Sequence, residues 1–245
     1  TAACGVAAVP DEASDASAAL RLADNRMYAV KVSAYASSER AMSVALMRML
    51  DERHPGLGSH GEQVAKLVVA CAQELRLPDE EIATVERAAE LHDLGKVGIP
   101  SAILTKPGPL SDEEWDFMRR HSIIGERILA GVPSMECVAP LVRAAHEQWD
   151  GRGYPDGLAG EQIPLGARIM AVADAFCAMT ENRPYAQARS LHSARSELRA
   201  CSGTQFDPSV LSAFLDMLDR RQDVDAPADN GGSPAVAGLP GTYSG

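Results

Sequence analysis

Apolar side chains in this chain recur mostly at intervals of three and four residues, the spacing that lines one face of an α-helix, and few stretches alternate as strands do. The clearest run starts at His60 and continues through Val64, Leu67 and Val68 to Leu75, where Pro78 stops it; a second helix is expected from about Asp79 to Leu94. Ahead of them, Val32, Tyr35, Met42, Val44, Leu46, Met47 and Leu50 mark a helical connector that His54-Pro55-Gly56 breaks. Ser111 followed by Glu114 forms a capping-box pattern, so a helix should begin there and run toward His121. Further helices are expected at 122–130, 136–149, 167–180, 190–201 and 207–221, two of them separated by a Gly- and Pro-rich loop at 151–165. The first thirty residues read differently: a short strand from Ala2 to Val9, a turn at Pro10-Asp11, then an amphipathic helix through Leu20, Leu22, Ala23 and Tyr28. From Asp223 onward Gly, Pro and Ala dominate without period, the mark of a disordered tail over 223–245.

Composition sharpens this into an all-α fold. The 245 residues suit one main domain with a small appendage, and 46% apolar content with only 4% aromatics suits packed helices. Asp and Glu outnumber Lys and Arg by 34 to 23, a net charge of -11 that repels a phosphate backbone at long range, so DNA and RNA are excluded as partners. A small anionic ligand is still admissible where bound cations reverse the local field. The five cysteines are scattered, with no CxxC pair, which fits a reducing cytoplasm. The chain has no run of 18 apolar residues and no signal-peptide pattern; beginning with Thr1 rather than Met, it reads as a piece of a longer protein, whose upstream part could carry an anchor.

Candidate chemistry lies in the histidines. His60, His92, His121 and His146 stand in polar settings on or beside the expected helices, while His54 and His192 are left over. Asp93 follows His92, and Asp174 adjoins the apolar run Ile169-Met170-Ala171-Val172-Ala173, where an unpaired carboxylate is costly and calls for a cation. Imidazole with carboxylate suits Fe, Mn, Zn or Ni. Two such ions about 3.5 to 4 Å apart can generate hydroxide, neutralise a phosphate and stabilise a leaving alkoxide.

The strings LHDLGKVGIP (91–100), LTKPGPL (104–110), MRRHSIIG (118–125) and HEQWDGRGYP (146–155), followed by Ala167-Arg168-Ile169, Asp174 and Arg183-Pro184-Tyr185, resemble the HD-GYP family in order and spacing across roughly residues 35–220. The resemblance implies a helical HD-domain bundle over 57–222 that hydrolyses cyclic di-GMP to pGpG and then GMP. It implies one ion on His60, His92, Asp93 and Asp174, with Asp93 bridging to a second on His121 and His146. Lys96 would touch a substrate phosphate or an oxygen at the metals, Arg183 would contact phosphate, and Tyr154 would line the pocket. Residues 1–31 resemble the end of a GGDEF domain, a pattern shared by any amphipathic helix after a strand, with 32–56 as connector. Possible partners are then GGDEF-domain proteins or a second copy of the chain.

The sequence also departs from the family. Ala145 stands where a second adjacent histidine is usual, Gly56 where three-metal members carry a carboxylate, Cys177 where an aspartate is usual, and Ala186 where a basic residue is common. Two ions rather than three are expected, with a weakened second site. The rival reading is a sensor or scaffold that binds the dinucleotide without cleaving it; a third is an HD phosphohydrolase for another nucleotide. Glu147 is open between orienting a ligand histidine and lying solvated, Arg168 between a site role and an ion pair, and Asp150-Gly151 reads as turn chemistry.

Overall fold

The computed structural model describes residues 3–53, 57–181 and 188–225. Among these the chain is helical: α1 (Ala16–Arg53), α2 (Leu57–Glu74), α3 (Asp79–Leu91), the single turn α4 (Ser101–Leu104), α5 (Asp112–Ala130), short α6 (Ala139–Arg143), α7 (Leu165–Thr180), α8 (Leu191–Ala200) and α9 (Pro208–Asp225). Only two isolated β-bridges occur among the described residues, Asp150 with Ala159 and Ser202 with Phe206.

The core gathers where the apolar stripes meet. Val64, Val68 and Cys71 of α2 pack with Val85, Ala88 and Leu91 of α3, Leu129 of α5, Val142 of α6, Leu198 of α8 and Phe214 of α9. α7 runs through the middle and buries Ile169, Met170, Val172, Ala173, Phe176 and Cys177, so it is apolar on more than one face, as a central helix must be. Phe176 meets Phe214 edge-on at 5.6 Å. Each large side chain buried in this way contributes roughly 1.5–3 kcal/mol.

The helix ends follow local chemistry. Ser111 accepts from the Glu114 N–H while Glu114 accepts from the Ser111 N–H, the expected capping box. Asp207 accepts from Ser209 N–H at 2.8 Å at the start of α9 and pairs at 2.7 Å with Arg168, whose guanidinium also lies over the Trp149 ring. Arg168 is therefore an ion-pair partner that ties α7 to α9. Pro78 precedes α3, whose first turn holds Asp79, Glu80 and Glu81 against the positive end of the helix.

Several expected elements differ. The strand at Ala2–Val9 is not formed over residues 3–9: a lone extended segment has no neighbour here with which to build a ladder. It lies along α1 instead, held where Arg26 donates to the Val6 carbonyl and pairs with Glu12. α1 passes residue 31 without a break, so residues 16–31 and the expected connector share one helix. The helices expected at 111–121 and 122–130 are one, because no breaker separates them. The helix expected at 136–149 shrinks to Ala139–Arg143, and α3 ends at Leu91 rather than Leu94; both truncations release site residues into turns. His54, Gly56, Arg183, Ala186 and the tail beyond Asp225 lie outside the described residues. No helix among the described residues is long and apolar enough to cross a membrane.

Candidate metal centre

Three helices and two turns bring the predicted ligands together. His60 sits one turn before Val64 on the stripe that buries α2, so the packing that seats α2 also aims His60 inward. His92 and Asp93 follow the last turn of α3, where the chain tightens into a 3-10 turn over Leu94–Gly98. His121 is on the buried face of α5, Asp174 is in α7, and His146 lies in the turn after α6. Gly95 sets the distance between two of these elements: a Cβ there would lie 1.8 Å from the His121 carbonyl oxygen and 2.6 Å from the Gly125 nitrogen. The absent side chain lets the turn after Asp93 rest directly on α5.

Two trios of donors result. Ligand atoms of His60, His92 and Asp93 lie within 4.8 Å of one another, as do those of Asp93, His121 and His146. Asp93 belongs to both and offers a different oxygen to each: Oδ2 is 3.6 Å from His92 Nε2, and Oδ1 is 3.7 Å from His121 Nε2. Asp174 Oδ1 joins the first trio at 2.9 Å from His60 Nε2 and 3.9 Å from His92 Nε2.

The protonation pattern fits a cation. The Nδ1 atoms of His92 and His121 each stand 2.7 Å from a carbonyl one turn back, Ala89 and Met118. A carbonyl only accepts, so in the neutral rings Nδ1 holds the proton and Nε2 turns a lone pair toward Asp93. His121 and His146 also face each other, Nε2 to Nε2, at 2.9 Å. Burial, the dominant influence, holds both rings below the ordinary histidine value, His146 down to about 3, so near neutral pH both rings are neutral and at most one proton lies between the two facing nitrogens. Lone pairs converging on a carboxylate make a poor protein-only arrangement and a good cation cradle. Burial pushes the Asp93 carboxyl up, yet Lys96, His92 and His121 outweigh it and keep Asp93 ionised. Burial likewise opposes ionisation of Asp174, and the hydrogen bond from His60 leads the influences that overcome it. His60 is pushed down by burial but carried above its ordinary value by the hydrogen bond and charge of Asp174, with Asp93 and Glu181 behind.

Lys96 Nζ stands 2.6 Å from Asp93 Oδ2 with its head partly exposed. The Tyr154 ring stacks on His146 at 5.1 Å, with Arg119 above it at 5.9 Å, and burial raises the Tyr154 hydroxyl well above its ordinary value, so it remains a neutral donor. Cys177 is buried in the core and is not among the clustered donors.

Two residues gain roles that the sequence did not reveal. Glu147, only 2% exposed, is not solvated; it accepts from the backbone N–H groups of Asp156, Gly157 and Leu158 at 2.7, 3.1 and 3.1 Å. Together with Arg143, which grips Asp156 and Glu126, it clamps the loop carrying Tyr154. Gly151, at φ +81, supplies the expected turn. Glu181, just beyond α7, places Oε2 3.0 Å from His60 Nδ1. Its position seven residues after Asp174, two helical turns along the same face, is the signal that could have found it.

A family model described as an HD domain matches residues 44–210, and the chain belongs to that family. HD phosphohydrolases bind divalent metal ions, and the clustered donors are compatible with this. The chain is similar to the cyclic di-GMP phosphodiesterase response regulator RpfG of Xanthomonas campestris, with 41% identity over 72% of this chain and 47% of that protein. It is also 39% identical to a cyclic di-GMP phosphodiesterase of Thermotoga maritima over 76% of this chain and 53% of that one. A solved cyclic GMP-AMP-specific phosphodiesterase of Vibrio cholerae shares the fold, with a TM-score of 0.58 and 20% identity, covering 77% of this chain and 51% of that one. The chain spans about half the length of the curated relatives it matches.

Proposed function

We propose that this domain is a metal-dependent phosphodiesterase that hydrolyses cyclic di-GMP to pGpG and GMP, with two divalent transition-metal ions such as Fe or Mn. The observation that carries the reading is the pair of donor trios sharing Asp93, one oxygen turned to each. His60, His92, Asp93 and Asp174 would hold one ion, and Asp93, His121 and His146 the other. Bound there, divalent cations neutralise the phosphate's non-bridging oxygens and make hydroxide available near neutral pH.

The protein's own groups do the rest. Asp93 holds both halves of the cluster in register, and its bond to Lys96 keeps that ammonium at the edge of the site, where a substrate phosphate can draw it away. Tyr154 and Arg119 give the mouth of the site an aromatic face and a positive charge, suited to a guanine base and a phosphate. Arg183 is assigned a second phosphate contact on the sequence motif alone. Relatives named for cyclic di-GMP and for a cyclic GMP-AMP substrate both carry the fold, and the higher identities go with cyclic di-GMP. The same reading puts the chain in the cytoplasm, in keeping with its scattered cysteines. It also takes residues 1–31 as the end of a GGDEF-like domain, with GGDEF proteins or a second copy as partners.

The test is to load the full 245-residue chain with Mn2+, incubate it with cyclic di-GMP or 3',3'-cyclic GMP-AMP, and resolve pGpG from GMP. Cleavage of cyclic di-GMP by the wild type, faster than of the mixed dinucleotide and absent in the His92→Ala, Asp93→Ala double variant, supports the reading. A folded, metal-loaded chain that binds cyclic di-GMP and leaves it intact supports the sensor or scaffold instead; the apolar Ala145, buried beside His146, is the observation in its favour.

A further inference from the structure

His60 is held differently from the other three clustered imidazoles. Both of its ring nitrogens face carboxylates of one chain segment: Nε2 is 2.9 Å from Asp174 Oδ1 and Nδ1 is 3.0 Å from Glu181 Oε2. Asp174 lies within α7 and Glu181 closes it two turns later, so the ring is clasped between two points of one rigid element. His92 and His121 rest Nδ1 on the carbonyls of their own helices instead. Glu181 thus reaches across from α7 to α2, and its other oxygen, Oε1, is buried with no hydrogen-bond partner among the described residues. A buried carboxylate oxygen without a partner is destabilising, so packing alone favours an apolar residue here.

We infer that Glu181 is a positioning residue for the metal centre: it holds the Nδ1 proton of His60, turns Nε2 toward the ion shared with His92, Asp93 and Asp174, and raises the basicity of that nitrogen. The inference rests on the proposed metal-dependent reading. A carboxylate behind a ligand imidazole fixes both tautomer and ring orientation, and loss of such a partner typically weakens metal binding about 10- to 100-fold. Glu181 also rigidly links α2 to the end of α7, immediately before the segment with the Arg183-Pro184-Tyr185 motif.

The test uses the full chain, stripped of metal, as wild type, Glu181→Ala and Glu181→Gln. Mn2+ titration by calorimetry should show the tighter of two binding steps weakened about 10- to 100-fold in Glu181→Ala and the other unchanged. Glu181→Gln, which keeps an oxygen where Oε2 stands, should recover part of the loss. In the Zn2+-loaded protein, 15N signals of labelled histidine should show His60 protonated on Nδ1 and ligated through Nε2 in the wild type and in Glu181→Gln, but mixed between ring nitrogens in Glu181→Ala. The glutamine variant and the 15N readout decide the matter if the alanine variant fails to fold. A purely structural role would lower the melting temperature of the metal-free protein, leave Mn2+ affinity and the His60 tautomer as in the wild type, and overturn the inference. Absence of Mn2+ uptake by the wild type sinks the metal reading and this inference with it, whereas wild-type uptake with undiminished affinity in both variants sinks this inference alone.

Discussion

The two halves of the donor cluster are built from similar side chains but on different electrostatic terms. The half around His60 is rich in carboxylates: Asp93, Asp174 and Glu181 all face its imidazoles. The half around His121 has Asp93, through Oδ1, as its carboxylate and sets two histidine nitrogens against each other at 2.9 Å. Ala145 fills with a methyl group the place where the family resemblance calls for one more imidazole. Such an imbalance favours a tight first ion and a weaker second one, since affinity for a divalent cation follows the charge and number of its ligands.

The largest expected effect comes from the residue common to both halves. Asp93→Asn should abolish both Mn2+ binding steps and all cleavage, measured by calorimetry and product analysis; retention of either step would mean that Asp93 is not shared. Gly95→Ala comes next. Its methyl would meet the His121 carbonyl at 1.8 Å and drive α5 away from the turn after Asp93. Overpacking of this kind costs about 1–3 kcal/mol, a melting temperature lower by several degrees, and the His121 step should weaken more than the His60 step. Ala145→His sharpens the comparison in the other direction: the weaker Mn2+ step should tighten about tenfold, on the scale of one supporting contact, with the tighter step unmoved. Glu147→Gln would replace one of the two oxygens that accept three backbone N–H bonds by an NH2 donor, a loss of roughly 1–3 kcal/mol in the hold on the Tyr154 loop. It should raise KM for cyclic di-GMP several-fold and leave both metal steps near wild type.

The smallest effect separates the halves by sign. In the metal-free protein His146 lies at about 3, below the ordinary 6.5, so as pH falls under 6.5 the unfolded chain takes up a proton that the folded one refuses, and stability drops. The raised value of His60 acts oppositely: its contribution is fully present below the ordinary histidine value and is lost as pH rises through the raised one. Melting curves between pH 5 and 8 should therefore lose acid sensitivity in His146→Gln and gain it in His60→Gln; parallel curves for both variants would show that the halves do not differ in this way.

Legibility in the sequence followed the kind of signal each residue leaves. Ser111 with Glu114 was readable because a capping box is local, and Asp174 because a carboxylate beside an apolar run is expensive without a cation. His60 was readable from its helical spacing to Val64 and Val68. The extent of α1 and the lack of a strand at residues 3–9 were not, because strand formation depends on a partner and not on the segment's own side chains. Glu147 and Glu181 escaped for a related reason. The first binds main-chain N–H groups, which any sequence supplies, and the second acts on a histidine 121 residues away that only the fold brings near.

The central claim is that a shared carboxylate joins two unequal cation sites. Calorimetric titration of Mn2+ into the metal-stripped chain measures this most directly. Two steps of distinct affinity, both lost in Asp93→Asn and only the weaker lost in His121→Ala, are the result expected here. Retention of either step by Asp93→Asn, or equal loss of both in His121→Ala, would contradict it.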